Sequence, residues 1–158
     1  MSTLFNLGMV QASAEHVLPC VEDQAMEMDR KTILVVDDLI DIRKLIRIAA
    51  GDAYNVLEAE AAVTALEIIR RHRPCLVLLD IMLPGEMDGL QVLDAVRADP
   101  DLEATLVILV TARGQATDYD LGMSRGADEY IIKPFSPALL LDRVKALTQA
   151  NLDERLSA

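Results

Sequence analysis

The chain has no tryptophan, and only three tyrosines and two phenylalanines among its 158 residues, so any core must be built from aliphatic side chains and methionine. Hydrophobic residues still make up 52% of the sequence, which excludes disorder over most of its length. Basic residues are scarce: 15 Lys and Arg stand against 26 Asp and Glu, a formal net charge of −11. No basic stripe is present, so direct binding to nucleic acid is not expected, and proteins, cations or metal-compensated phosphates are the expected partners. The two cysteines, Cys20 and Cys75, form no CxxC and have no histidine at ligand spacing, which excludes a zinc site. No apolar run approaches the roughly 18 residues of a membrane helix, and membrane insertion is not expected. Ala12-Ser13-Ala14 has the small residues of a signal-peptidase site, but no Lys or Arg precedes Arg30, and Asn6 and Gly8 interrupt the apolar stretch before it. A cytoplasmic location is therefore expected.

The first 30 residues are weakly patterned and acidic, and are expected to form an N-terminal extension with a turn or two of helix around Val21–Met28. From Lys31 onward, short apolar runs alternate with segments of helical period. The runs are Thr32–Val36, Tyr54–Glu58, Cys75–Leu79, Leu106–Val110 and Glu129–Ile132. Between and after them come Ile40–Ala50, Ala61–His72, Leu90–Ala98, Thr117–Arg125 and Pro137–Gln149, with stripes such as Ile42, Leu45, Ile46 and Ala49. Five strands alternating with five helices predict an α/β fold with a parallel sheet covered on both faces, because parallel neighbours need crossover connections. Residues 31–150 fill one domain, and 151–158 are left as a short tail, too few for an output domain.

In an open parallel sheet the ligand site lies beyond the carboxyl ends of the strands. The first strand ends at Asp37-Asp38, the third at Asp80, the fourth at Thr111-Ala112 and the fifth at Lys133-Pro134. Taken singly, each has a bland explanation: Asp37 or Asp38 as a helix cap, Asp80 as the start of a loop, Thr111 as a strand residue, Lys133 as a solvated end. Taken together, three carboxylates on one rim repel one another by about 4 kcal/mol per pair at 4 Å and an effective dielectric of 20. Lys133 supplies one compensating charge, and a hard divalent ion with water ligands, Mg2+, suits the remainder. Asp41 and Arg43 are expected to be solvated helix residues.

Four stretches, ILVVDD, LVLLDIMLPGEMDGL, VILVTA and ADEYIIKPF, occur in this order and at characteristic spacing. Through them the chain from about Lys31 to Ala150 resembles the receiver domain of two-component response regulators. The resemblance implies a flavodoxin-like, doubly wound five-stranded sheet of order 2-1-3-4-5. It implies that Asp80 accepts a phosphoryl group from a sensor histidine kinase or a histidine phosphotransfer protein. Asp37, Asp38, Asp80 and the main-chain carbonyl of Met82 would hold Mg2+, while Thr111 and Lys133 bind phosphoryl oxygens. Thr111 and Tyr130 would form the switch, altering the face of the fourth helix, fifth strand and fifth helix, with dimerisation or a downstream protein as the readout. The Lys133-Pro134 bond is expected to be cis.

The same resemblance marks departures. PGEMDG, from Pro84 to Gly89, is one residue longer than the commonest receiver version, which implies a bulge after Asp80. Met82 and Arg113, two positions beyond Asp80 and Thr111, imply slow loss of the phosphoryl group through restricted water access. The chain is thus expected to be a stand-alone signalling protein and not an enzyme in its own right. One alternative is a phosphate-ester hydrolase with an aspartate nucleophile, although Leu39 and Met82 occupy the positions where a DxD hydrolase carries its second acid. The other is a pseudo-receiver that binds partners without phosphorylation.

Overall fold

The computed structural model describes residues 30–157. The acidic extension, the helical turns around Val21–Met28, Cys20 and the small-residue triplet at Ala12–Ala14 lie outside the described residues. Within them the order is β1 (Lys31–Val36), α1 (Ile40–Ala50), β2 (Tyr54–Ala59), α2 (Ala62–His72), β3 (Leu76–Leu79), α3 (Gly89–Ala98), a 3-10 turn (Pro100–Leu102), β4 (Leu106–Thr111), α4 (Ala116–Ser124), β5 (Glu129–Ile132) and α5 (Pro137–Ser157). The strands form one parallel sheet of order β2-β1-β3-β4-β5. With the helices on both faces this is the parallel α/β architecture that the alternating pattern predicts, in the flavodoxin-like order that the resemblance implies.

The reason for the unbroken apolar runs is visible in where alternate residues go. In β1, Leu34 and Val36 join Val77, Leu79, Val107 and Leu109 in one buried cluster beneath α2 and α3. Ile33 and Val35 join Leu76, Leu78, Ile108 and Val110 in the other, beneath α1 and α5. Both faces of the three central strands are thus dry, which is why these strands carry no polar alternation. Each fully buried aliphatic side chain contributes about 1.5–3 kcal/mol.

Strand and helix boundaries match the expected ones to within a residue, apart from the end of α5. That helix continues to Ser157 rather than stopping at Gln149. Its apolar stripe thins after Thr148, with Leu152 and Leu156 exposed, so periodicity gives no signal there. Polar contacts carry it instead: Gln149 donates to Asp153 four residues on (3.2 Å), and Asn151 donates to the Ala104 carbonyl (3.3 Å). Cys75 precedes β3 and is half-buried, and burial pushes its thiol pKa up. The Lys133-Pro134 peptide is cis, as expected. No helix among the described residues is long and apolar enough to cross a membrane.

Candidate functional site

Sheet hydrogen bonding runs one residue past three of the strands and fixes the main chain of the rim. Asp37 N–H donates to Ala59 O (3.1 Å), Asp80 N–H to Val36 O (2.9 Å) and Lys133 N–H to Thr111 O (2.8 Å). The charged side chains therefore start from rigid positions on β1, β3 and β5. They converge: Lys133 Nζ donates to Asp37 Oδ2 (2.6 Å) and to Asp80 Oδ2 (2.8 Å). The opposite oxygens of the two carboxylates are occupied in the same manner. Asp37 Oδ1 accepts the Leu39 N–H (2.9 Å), and Asp80 Oδ1 accepts the Met82 N–H (3.1 Å).

Asp38 is exposed, and its carboxylate has no hydrogen-bond or ion-pair partner among the described residues. One carboxylate oxygen from each of Asp37, Asp38 and Asp80 lies within 4.8 Å of the others. The capping explanation for the acids fails, because the N-cap position of α1 is Leu39 and no side chain caps that helix. Asp37 and Asp80 are both buried. Burial raises the Asp37 pKa above the ordinary carboxylate value, with the Lys133 hydrogen bond and the Leu39 N–H pulling partly back. For Lys133, burial opposes the ammonium, but its bonds to Asp37 and Asp80 and their charges outweigh that and hold its pKa above normal. An all-oxygen donor set with an unpaired acid at its mouth suits a hard divalent cation such as Mg2+, and lacks the sulfur or imidazole that softer metals favour.

A cavity of about 420 Å³ opens over these groups, lined by Asp38, Leu39, Asp80, Met82, Leu83, Pro84, Ala112 and Lys133. Thr111 does not line it. That residue is fully buried, and its Oγ1 accepts a long bond from Arg113 N–H (3.4 Å), while its neighbour Ala112 forms the wall. Tyr130 also stands apart from the cavity. Its hydroxyl donates to the Arg113 carbonyl (2.7 Å), and its ring meets Tyr119 edge-on, centroids 5.6 Å apart. Burial of the ring raises the phenol pKa. Arg113 thus connects the two expected switch residues, receiving Tyr130 at its carbonyl and offering its N–H to Thr111.

Three supporting arrangements have no role in the sequence-based expectations. Gly89, the first residue of α3, lies against the phosphoacceptor candidate's own backbone: a Cβ there would come within 2.0 Å of Asp80 O. The loop before it turns at Gly85, with φ +95°. Asp88 and Gln91 form a reciprocal capping box at the start of α3, each side chain accepting the other's backbone N–H (2.9 Å). The Asp-x-x-Gln spacing is the legible signal for it. Arg43, expected to be solvated, has a side chain only 12% exposed. Its Nη1 donates to the Asp37 carbonyl (2.7 Å), and its Nε lies 3.4 Å from Glu58 of β2. The guanidinium is drawn inward because it spans an acceptor and a carboxylate on adjacent strands.

Comparison with known proteins identifies the family. The family model described as the response regulator receiver domain matches residues 33–145. The chain is 39% identical over 130 residues to the DNA-binding response regulator MtrA of Mycobacterium bovis, covering 82% of this chain and 55% of that protein. It is 42% identical over 118 residues to the phosphate regulon transcriptional regulatory protein PhoB of Pseudomonas aeruginosa, covering 74% and 51%. The chain spans about half the length of the curated relatives it matches. Among solved structures, the CheY-like response regulator receiver domain protein of Methanospirillum hungatei superposes with a TM-score of 0.68 at 32% identity, over 80% of this chain and 99% of that one.

Proposed function

We propose, from the premise that this chain belongs to the response regulator receiver domain family of two-component signal transduction, that Asp80 is its phosphoacceptor. The observation that carries this reading is the Lys133 ammonium held between two buried carboxylates, with a third, unpaired carboxylate at the mouth of the cavity. The Asp80 carboxylate attacks the phosphorus of a phosphohistidine on a sensor kinase or phosphotransfer protein. An O–P bond forms, the N–P bond breaks, and the histidine nitrogen keeps the electron pair. Lys133 and Thr111 bind phosphoryl oxygens, Thr111 after leaving its bond with Arg113. Asp37, Asp38, Asp80 and the Met82 carbonyl would hold Mg2+, which would supply positive charge to offset that of the incoming phosphoryl group.

Residues 31–150 constitute the receiver domain in this reading, with residues 1–30 as an extension. Movement of Thr111 vacates space beside β4, and Tyr130 exchanges the Arg113 carbonyl for that space, altering the face of α4, β5 and α5 presented to a partner. Relatives are named as DNA-binding or transcriptional regulators, and this chain matches about half of each. The net charge of −11 supports protein rather than nucleic acid as the direct partner of this chain.

The test is acetyl phosphate with Mg2+, read by intact mass. Wild type is expected to gain one phosphoryl group, and Asp80→Asn none. Equal uptake by Asp80→Asn would overturn the assignment, and steady turnover of a generic phosphate ester that Asp80→Asn abolishes would put a hydrolase in its place.

A further inference from the structure

Of the three carboxylates in the cradle, Asp37 and Asp80 are each tied at both oxygens, to Lys133 and to a backbone N–H. Asp38 has no such tie, so the position of its carboxylate is inherited from its main chain. The peptide that joins Asp37 to Asp38 is fastened from one side by the Asp37 carbonyl, which accepts Arg43 Nη1 at 2.7 Å. Arg43 is braced in turn by Glu58 on β2, whose other oxygen pairs with Arg47. β2 grips the same end of β1 a second time, through Asp37 N–H and the Ala59 carbonyl.

We propose that Arg43 is a positioning residue for the cation cradle: through the Asp37 carbonyl it fixes the peptide from which Asp38 projects, and Glu58 holds the guanidinium in place. This rests on the reading of the carboxylates as a Mg2+ site. The guanidinium does not line the cavity over the acids. It places a permanent positive charge behind three clustered acids and limits the rotation of the peptide that aims the exposed one. A guanidinium is required because one planar group must serve a carbonyl and a carboxylate at once; an ammonium serves them less well.

The experiment uses the full chain, with Mg2+ affinity read by calorimetry and the rate of phosphorylation by acetyl phosphate followed against Mg2+ concentration. Arg43→Gln is expected to weaken Mg2+ binding about tenfold, the lower end of what loss of a supporting hydrogen bond around a metal ligand costs. The rate at saturating Mg2+ should stay within about twofold of wild type, because Asp80 and Lys133 are untouched. Arg43→Lys and Glu58→Gln should shift the affinity in the same direction by less. A merely structural role would lower the melting temperature and leave Mg2+ affinity alone. Wild-type Mg2+ affinity in folded Arg43→Gln overturns the proposal; should that variant not fold, wild-type affinity in both Arg43→Lys and Glu58→Gln overturns it equally. Failure of wild type itself to bind Mg2+ or take up phosphate would instead remove the reading of the site, and the positioning role with it.

Discussion

Asp37 sits in the fold at an energetic disadvantage that its partners only partly relieve. Its folded pKa is raised by burial from the ordinary 3.8, so ionisation costs more in the native state than in the unfolded chain. The sign follows: this group's contribution to stability is most favourable below the unfolded value and is lost as pH rises through the folded one. Asp37→Asn, which can still accept from Lys133, is therefore expected to gain stability relative to wild type in chelator as pH rises to 7. The gain should vanish on acidification and shrink when Mg2+ is supplied; thermal melts with and without chelator would measure it. Lys133 follows the same sign in a more alkaline window. With its pKa raised above 10.5, its favourable share is fully present below that value and is lost as pH rises through the folded pKa.

At the level of the elements, the start of α3 carries two glycine- and cap-dependent contacts with different consequences. Asp88→Ala removes a capping box and should cost about 1 kcal/mol in urea unfolding, with phosphorylation by acetyl phosphate unchanged. Gly89→Ala should be worse on both counts, because its Cβ would collide with the Asp80 carbonyl, backbone that cannot rotate away. Overpacking of this kind costs about 1–3 kcal/mol, and here it also displaces Asp80, the proposed phosphoacceptor. These contacts mark the edge of what the sequence discloses. Strands such as ILVV and LVLL are legible because burial on both faces leaves no polar position, and the acids that end them are legible because nothing in a strand core explains them. Gly89 is not, since its neighbour across the loop is tertiary information. Arg43 reads as solvent-facing from helical period alone, and only the approach of β2 gives its guanidinium something to hold. The end of α5 is hidden because side-chain amides, not an apolar stripe, extend it.

Across the molecule, Arg113 joins Thr111 at the end of β4 to Tyr130 of β5, meeting the first at its N–H and the second at its carbonyl. With no tryptophan and three tyrosines in the chain, intrinsic emission is a usable probe of that link. Beryllofluoride with Mg2+ is expected to shift tyrosine fluorescence as Tyr130 gives up the Arg113 carbonyl and the edge-on contact with Tyr119. Thr111→Ala should bind the fluoride and lose most of the shift; an unchanged shift would break the proposed coupling. Lys133 reaches acids 96 and 53 positions away in the chain, so the pocket exists only once β5 has docked beside β4. Competence to take up an acyl phosphate label would thus be a late-arriving property during refolding, and its appearance would time the completion of the whole assembly rather than the maturation of any one fragment.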